Sequence, residues 1–345
     1  MYQPLGTIKS NKMKKVIKWV KRIILGLLAL IFLLLIVGFI FEHVARTIDS
    51  KKIKPTGNFT NVGNHQLHYI KKGVGGPTVV FESGIDLGGH VSWKFVQDEI
   101  SKYTTTLSYD RAGILWSERG NNPKSLSTNK SDLQNLLINT KCPKPYIIVG
   151  HSFAGITLRK LIDEQKEDIL GVIFVDVSHP DQMNRFSEEM LKMMELPPRW
   201  ILEIMFNCGF NRLLFQDNYP KTSENDSINL IANKFSYKGI DAIIETFQNL
   251  ESMAKEASLI SNFDSIPLTI ITGCSPNRNI EISDENLRIE STKVWNELQK
   301  ELLNLSANSK QILANESGHY VQTEQPEIVI DAIEALLNQN KPENE

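Results

Sequence analysis

A serine hydroxyl becomes a useful nucleophile when a base takes its proton and a carboxylate orients that base. Ser152 stands in Gly150-His-Ser-Phe-Ala-Gly155, with small residues two places to either side. That spacing suits a sharp turn from strand to helix. Residues 146–149 (Tyr-Ile-Ile-Val) read as a short buried strand, and residues 156–167 take a helical pattern. On such a turn the serine backbone is strained by roughly 1–3 kcal/mol and its hydroxyl projects from the sheet edge. A large side chain at 150 or 154 would collide with its neighbours. The short pattern is weak alone, because glycine makes up about 7% of ordinary chains. The strand before it, the helix after it and the partners below give it weight.

His319 is the base candidate. It follows the last expected strand in Ala314-Asn-Glu-Ser-Gly-His-Tyr320, on a loop that would return over the sheet edge. His43 and His65 fall in the amino-terminal region, His68 lies inside a strand, and the His151 side chain is directed away from its serine neighbour. His90 and His179 lie near the expected edge and remain in play. For the acid, the loop after the penultimate strand, Thr272-Gly-Cys-Ser-Pro-Asn-Arg-Asn279, carries no carboxylate. Asp176 ends the strand after the serine's helix, in Phe174-Val-Asp-Val-Ser-His-Pro180, and is preferred to the later Asp284 and Glu281. The oxyanion of an acyl intermediate needs preorganised donors, each worth roughly a hundred- to thousand-fold in rate. The Phe153 amide is one. The Ile85 amide is the second, with Gly84 allowing the turn that aims it inward.

These groups need a scaffold. Candidate strands at 66–71, 78–82, 104–109, 146–149, 171–175, 268–272 and 310–314 alternate with candidate helices at 92–102, 131–139, 153–167, 292–305 and 326–338. Such alternation argues a parallel sheet covered on both faces, with its site at the carboxyl edge. It fails over residues 178–262, a Met-, Leu- and Phe-rich stretch read as a helical cap. The core is then 61–177 with 263–340, and 42–60 reads as a linker.

The amino-terminal region is different material. Residues 23–41 are 19 residues without a charge, close to the roughly 30 Å of a hydrocarbon core at about 1.5 Å per residue. The run is longer than a signal-peptide core, and Glu42-His-Val-Ala-Arg46 is a poor cleavage site, so an uncleaved anchor is expected. Seven basic residues precede it within 1–22 and no acid does, which favours a cytoplasmic amino terminus and an extracytoplasmic remainder, as in a bacterial cell membrane. Residues 1–54 carry a net charge of +9 and the rest −11. The acidic remainder argues against nucleic-acid binding. Cys142, Cys208 and Cys274 are scattered, implying neither a zinc site nor a disulfide framework.

Residues 60–340 resemble the α/β-hydrolase superfamily, in a bacterial serine-hydrolase branch. The resemblance rests on Phe81-Glu-Ser-Gly84, Tyr109-Asp-Arg-Ala-Gly113 with Trp116-Ser117, the serine segment, Phe174-Val-Asp176 with His179-Pro-Asp181, and Ser317-Gly-His319. It implies a mostly parallel eight-stranded sheet with a cap after the strand ending at Asp176. It also implies Ser152, His319 and an acid as catalytic triad, with Ile85 and Phe153 as oxyanion donors. Two departures stand out: Ala154 where glycine is commonest, and Leu115 in place of a frequent glycine near the pocket.

The expectation is a membrane-anchored serine hydrolase, esterase- or lipase-like, acting on a small-molecule or lipid-like ester and requiring no metal or cofactor. Relatives that dehalogenate or open epoxides use aspartate at the turn, and Ser152 argues against them. An aminopeptidase-like amide hydrolase and a non-catalytic sensor or binding module on the same scaffold are the competing readings.

Overall fold

The computed structural model describes residues 6–214, 226–280 and 282–339. It forms two compact units: α1 (Gly6–Lys52) with Pro198–Leu214, and the sheet with its helices.

The larger unit is an eight-stranded mixed sheet. Its strands are β1 (Asn58–Asn61), β2 (Gln66–Lys72), β3 (Thr78–Glu82), β4 (Thr106–Tyr109), β5 (Tyr146–His151), β6 (Ile169–Val175), β7 (Leu268–Gly273) and β8 (Ser309–Ala314), in the order β1-β2-β4-β3-β5-β6-β7-β8. The pairs β1–β2 and β2–β4 are antiparallel and all others are parallel. The central strands are buried along their whole length, as sequences such as Tyr-Ile-Ile-Val require when both faces are covered. Their period of two divides the core. Val79, Phe81, Ile147, Val149, Ile173 and Val175 face one layer, with Trp93 and Ile333. Val80, Ile148, Val172 and Phe174 face the other, with Leu133 and Leu161.

Helices α2 (Lys94–Ile100), α3 (Leu126–Asn139), α4 (Ala154–Thr157), α5 (Arg159–Glu164), α12 (Glu285–Glu301), α13 (Val321–Glu324) and α14 (Pro326–Gln339) accompany the sheet. Between β6 and β7 come α6 (Gln182–Arg185), α7 (Glu188–Met194), α8 (Arg199–Asn207), α9 (Asn211–Leu214), α10 (Asp226–Phe235) and α11 (Ile240–Ser258).

Four sequence expectations need correction. The linker read over 42–60 is mostly helix or strand: α1 runs on to Lys52 and β1 occupies Asn58–Asn61. Residues 43–52 hold no helix breaker, so a formed helix continues by adding one hydrogen bond per residue. The cap read over 178–262 is not one body, because Pro198–Leu214 groups with α1. The helix expected over 153–167 breaks at Leu158, where the Arg159 side chain takes the Gly155 carbonyl at 2.9 Å. The sheet gains β1, a short polar strand without the apolar alternation that marks the others.

Candidate active site

The turn after β5 has the steric character its residues demand. A Cβ on Gly150 would lie 2.8 Å from the Ala154 Cβ and 2.6 Å from Leu158, so position 150 accepts only glycine while 154 holds alanine. Ser152 has φ +55°, a left-handed conformation unusual for a residue with a Cβ. Its backbone is tied at both ends. The Ser152 amide donates to the Val175 carbonyl at 3.3 Å, and the Ser152 carbonyl accepts from the Ser178 amide at 2.7 Å.

His319 follows β8 and brings its ring to this turn. Its Nε2 lies 3.0 Å from the Ser152 hydroxyl and its Nδ1 lies 2.6 Å from Asp176 Oδ2. The imidazole is half-buried, with 34% of its side-chain surface exposed, while the Asp176 side chain is fully buried. Asp176 also has a left-handed backbone, φ +47°, which its amide fixes by donating to the Ile271 carbonyl at 2.7 Å.

Asp176 is surrounded by donors. Arg278 grips it with both terminal nitrogens, at 3.0 and 2.8 Å, the Trp295 indole donates at 3.0 Å, and the Gly273 amide at 3.1 Å. Burial alone would raise this carboxyl. The Arg278 guanidinium and the His319 hydrogen bond outweigh it and hold the group well below the usual carboxylate range. Sequence reasoning passed over Arg278 and Trp295. The one available signal was the loop after β7: searched for an acid, it carries the cation that fixes an acid from the neighbouring strand.

The other carboxylates go elsewhere. Asp284 is the N-cap of α12, accepting from the Leu287 amide at 3.0 Å, and Glu281 lies outside the described residues. His90 joins His68 around Asp110, and the His179 Nδ1 accepts from the Asp181 amide at 3.0 Å. His151 is buried behind the serine, its Nε2 2.8 Å from the His319 carbonyl. Burial, with the His319 ring beside it, pulls its imidazole down to about 3. It holds the histidine loop as an uncharged donor.

The loop after β3 abuts the serine. A Cβ on Gly84 would sit 2.6 Å from the Ser152 Cβ and 3.0 Å from its Oγ, so the glycine serves close approach rather than a special turn. The Arg111 guanidinium donates to the Gly84 carbonyl and lies 5.3 Å from the Phe153 ring centre. Across a trans peptide the carbonyl and the next amide point in opposite directions, so Arg111 turns the Ile85 N–H away from itself. Among the described residues, neither the Ile85 nor the Phe153 amide donates to an acceptor. Behind Arg111, the buried Glu82 lies 3.7 Å away, held by Tyr109 at 2.7 Å and by Thr157. Leu115 keeps the left-handed backbone that a glycine would favour, with φ +43°.

Ser152 and His319 open on a cleft of about 480 Å³ with a mostly apolar lining that includes Phe186, Met190, Met193, Met194, Ile282 and Trp295. A pocket of this size suits a small organic ligand.

Sheet order, crossover helices and a serine on the turn after β5 define the α/β-hydrolase fold. Solved structures share it. A thermophilic esterase from Thermogutta terrifontis superposes with TM-score 0.56 at 18% identity, covering 80% of this chain and 94% of that one. A membrane phospholipase A, described as a bacterial virulence factor, superposes with TM-score 0.58 at 16% identity, covering 93% and 100%. At these identities the likeness establishes the fold. No family model matches the chain. An AB hydrolase superfamily protein of Gibberella zeae is 21% identical over 274 residues, 71% of this chain and 81% of that protein. The probable transporter efuK of Hormonema carpetanum is 27% identical over 304 residues, 81% of this chain, which spans only 42% of that protein's length.

Proposed function

We propose that this protein is a membrane-anchored serine hydrolase that cleaves carboxylic esters or related acyl compounds through an acyl-enzyme. The reading rests on one observation: an unbroken hydrogen-bond chain from Ser152 through His319 to Asp176, at the mouth of an apolar cleft. In the first half-reaction the Ser152 oxygen bonds to the acyl carbon while its proton passes to His319 Nε2. The oxyanion accepts from the Ile85 and Phe153 amides. Collapse breaks the bond to the alcohol, which leaves with the proton held by His319. Water then repeats the sequence on the acyl-enzyme and regenerates the hydroxyl. Asp176 stays ionised throughout, since Arg278 and the buried donors favour its charge, and it holds the imidazole in the tautomer that faces Ser152.

The methionines and aromatic side chains of the cleft favour an apolar group on the substrate. Esterase and phospholipase neighbours on the same fold support an ester. The anchor would be the uncharged run of α1, the one described helix long and apolar enough to cross a membrane. A panel of p-nitrophenyl esters of graded chain length, run beside amino-acid anilides, tests the substrate class. Ester turnover rising with chain length supports the proposal. Turnover of anilides alone would make the protein an amide hydrolase, and turnover of neither would favour the non-catalytic reading.

A further inference from the structure

The smaller unit contains a contact stripe that the hydrolase reading leaves unused. Along one face of α1, at Leu35, Gly38, Glu42, Arg46 and Asp49, the helix meets residues 206–212. Steps of three and four residues keep these positions on one side of the helix.

The stripe changes character at Glu42. Beyond it the contacts are ionic: Arg212 reaches Glu42 at 2.5 Å and Asp49 at 2.6 Å, and Arg46 donates to the Phe206 carbonyl at 2.6 Å. Before it they are bare backbone and small groups. The Cys208 thiol lies 3.5 Å from the Leu35 carbonyl. A Cβ on Gly38 would stand 2.7 Å from the Cys208 carbonyl oxygen, so only glycine permits the approach. Close backbone packing on a glycine is how helices associate within lipid.

Leu35 and Gly38 belong to the uncharged run that ends at Phe41. Leu35 lies about 9 Å of helix inside that end, at 1.5 Å per residue. The tip of the α8–α9 hairpin therefore reaches the depth of the apolar run, and its ion pairs meet α1 only past the end of the run. Large apolar side chains point outward from the same hairpin: Trp200, Ile201, Ile204, Phe210, Leu213 and Leu214, with Leu213 70% exposed. Trp200, Ile201 and Ile204 share one side of α8, and Phe210, Leu213 and Leu214 lie three and four residues apart at α9. Exposed apolar groups so arranged mark a contact surface.

We infer that Pro198–Leu214 is a second membrane element, a short hairpin whose tip and outer apolar face lie among the acyl chains beside the α1 anchor, on the side of the membrane that Glu42 faces. Its partner is lipid. The polarity change along the stripe, at the residue where α1 itself turns polar, selects that occupant over a soluble protein. The inference rests on α1 spanning a bilayer and is independent of the serine chemistry.

The test uses the full chain in phosphatidylethanolamine–phosphatidylglycerol vesicles, with a benzophenone amino acid placed singly at Phe210, Leu213, Leu28 or Leu259. Leu28 reports the span, and Leu259, 80% exposed on the sheet unit, is the comparison site outside both proposed membrane elements. After irradiation, mass spectrometry is expected to find lipid adducts at 210 and 213 as abundant as at 28, with background at 259. Background at 210 and 213 with adducts at 28 would overturn the hairpin and spare the span. Cross-links between two copies at 210 or 213 would replace lipid by self-association and overturn it equally. Background at 28 as well would remove the span and the hairpin together. Fluorophosphonate labelling of Ser152 in each sample reports the hydrolase reading separately.

Discussion

Two of the buried carboxylate–histidine clusters in the sheet unit are built from the same bond. At one, Asp176 accepts from His319 at 2.6 Å. At the other, Asp110 holds His68 at 2.9 Å and His90 at 2.8 Å. In both, burial opposes the charge on the aspartate and nearby cations or histidines overcome it, so both carboxyls sit below the usual range. What differs is the far side of the ring. The second nitrogen of His319 faces a hydroxyl and an open cleft, whereas that of His68 is closed off by the Thr56 carbonyl at 2.5 Å. His68 has no exposed surface. The side chains of His68, His90 and Asp110 also bring donor atoms within 4.8 Å of one another, as a metal site would. Yet both Asp110 oxygens and the Nδ1 of each ring are already spent on one another, which makes the cluster a structural brace beneath the Arg111 loop. A histidine–aspartate pair does chemistry only where the other nitrogen has a proton to collect and room to pass it on.

Substitutions can break that contrast. Ser152→Ala should have the largest effect, lowering ester turnover by about 10⁴-fold or more while the thermal unfolding curve stays unchanged. Asp176→Asn should cost about as much as a lost triad acid does elsewhere, roughly 10⁴-fold in kcat. Asp110→Asn should do the reverse: kcat of the folded fraction within a few-fold of normal, but stability reduced by roughly 3–5 kcal/mol as a buried pair is broken. Chemical denaturation and steady-state kinetics on the two variants separate the roles, and similar profiles would erase the distinction. Arg111→Gln should fall between them, with kcat lowered by roughly ten- to a hundred-fold and KM little changed, because the Ile85 amide loses its aim rather than its existence.

A smaller effect is read from pH. His151 is buried and His179 half-buried, and both are uncharged near neutral pH, pulled down by desolvation to about 3 and about 4. The unfolded chain binds those protons near pH 6.5 and the folded chain does not. Their contribution is therefore complete above about pH 6.5 and is lost as pH falls toward 4 and then 3. Asp176 and Asp110 act in the same direction at still lower pH. His151→Gln should flatten the loss of stability between pH 6 and 4, recovering up to roughly 3 kcal/mol relative to the parent slope. An unchanged slope would mean that another group takes up the proton.

The sequence exposed the parts of this arrangement that sterics or chain order determine. Ser152 was legible because only small residues fit around the turn, and His319 because a loop after the last strand must return over the sheet edge. Asp176 emerged partly by elimination, the loop after Gly273 having no acid. Arg278 and Trp295 were not legible. They reach Asp176 from 102 and 119 residues away, through a loop and a helix whose convergence no local pattern records. The same holds for Pro198–Leu214, which reads as one more cap helix until its arginine is found on Glu42 and Asp49. β1 escaped notice because Asn-Phe-Thr-Asn lacks a buried face.

The central claim is that Ser152 is made nucleophilic by His319. Intact-mass measurement of the full chain after treatment with a fluorophosphonate tests it most directly. The account predicts one adduct per chain, mapped to Ser152, absent in Ser152→Ala and strongly slowed in Asp176→Asn. A folded protein that takes up no label, or takes it up at another residue, would contradict the account.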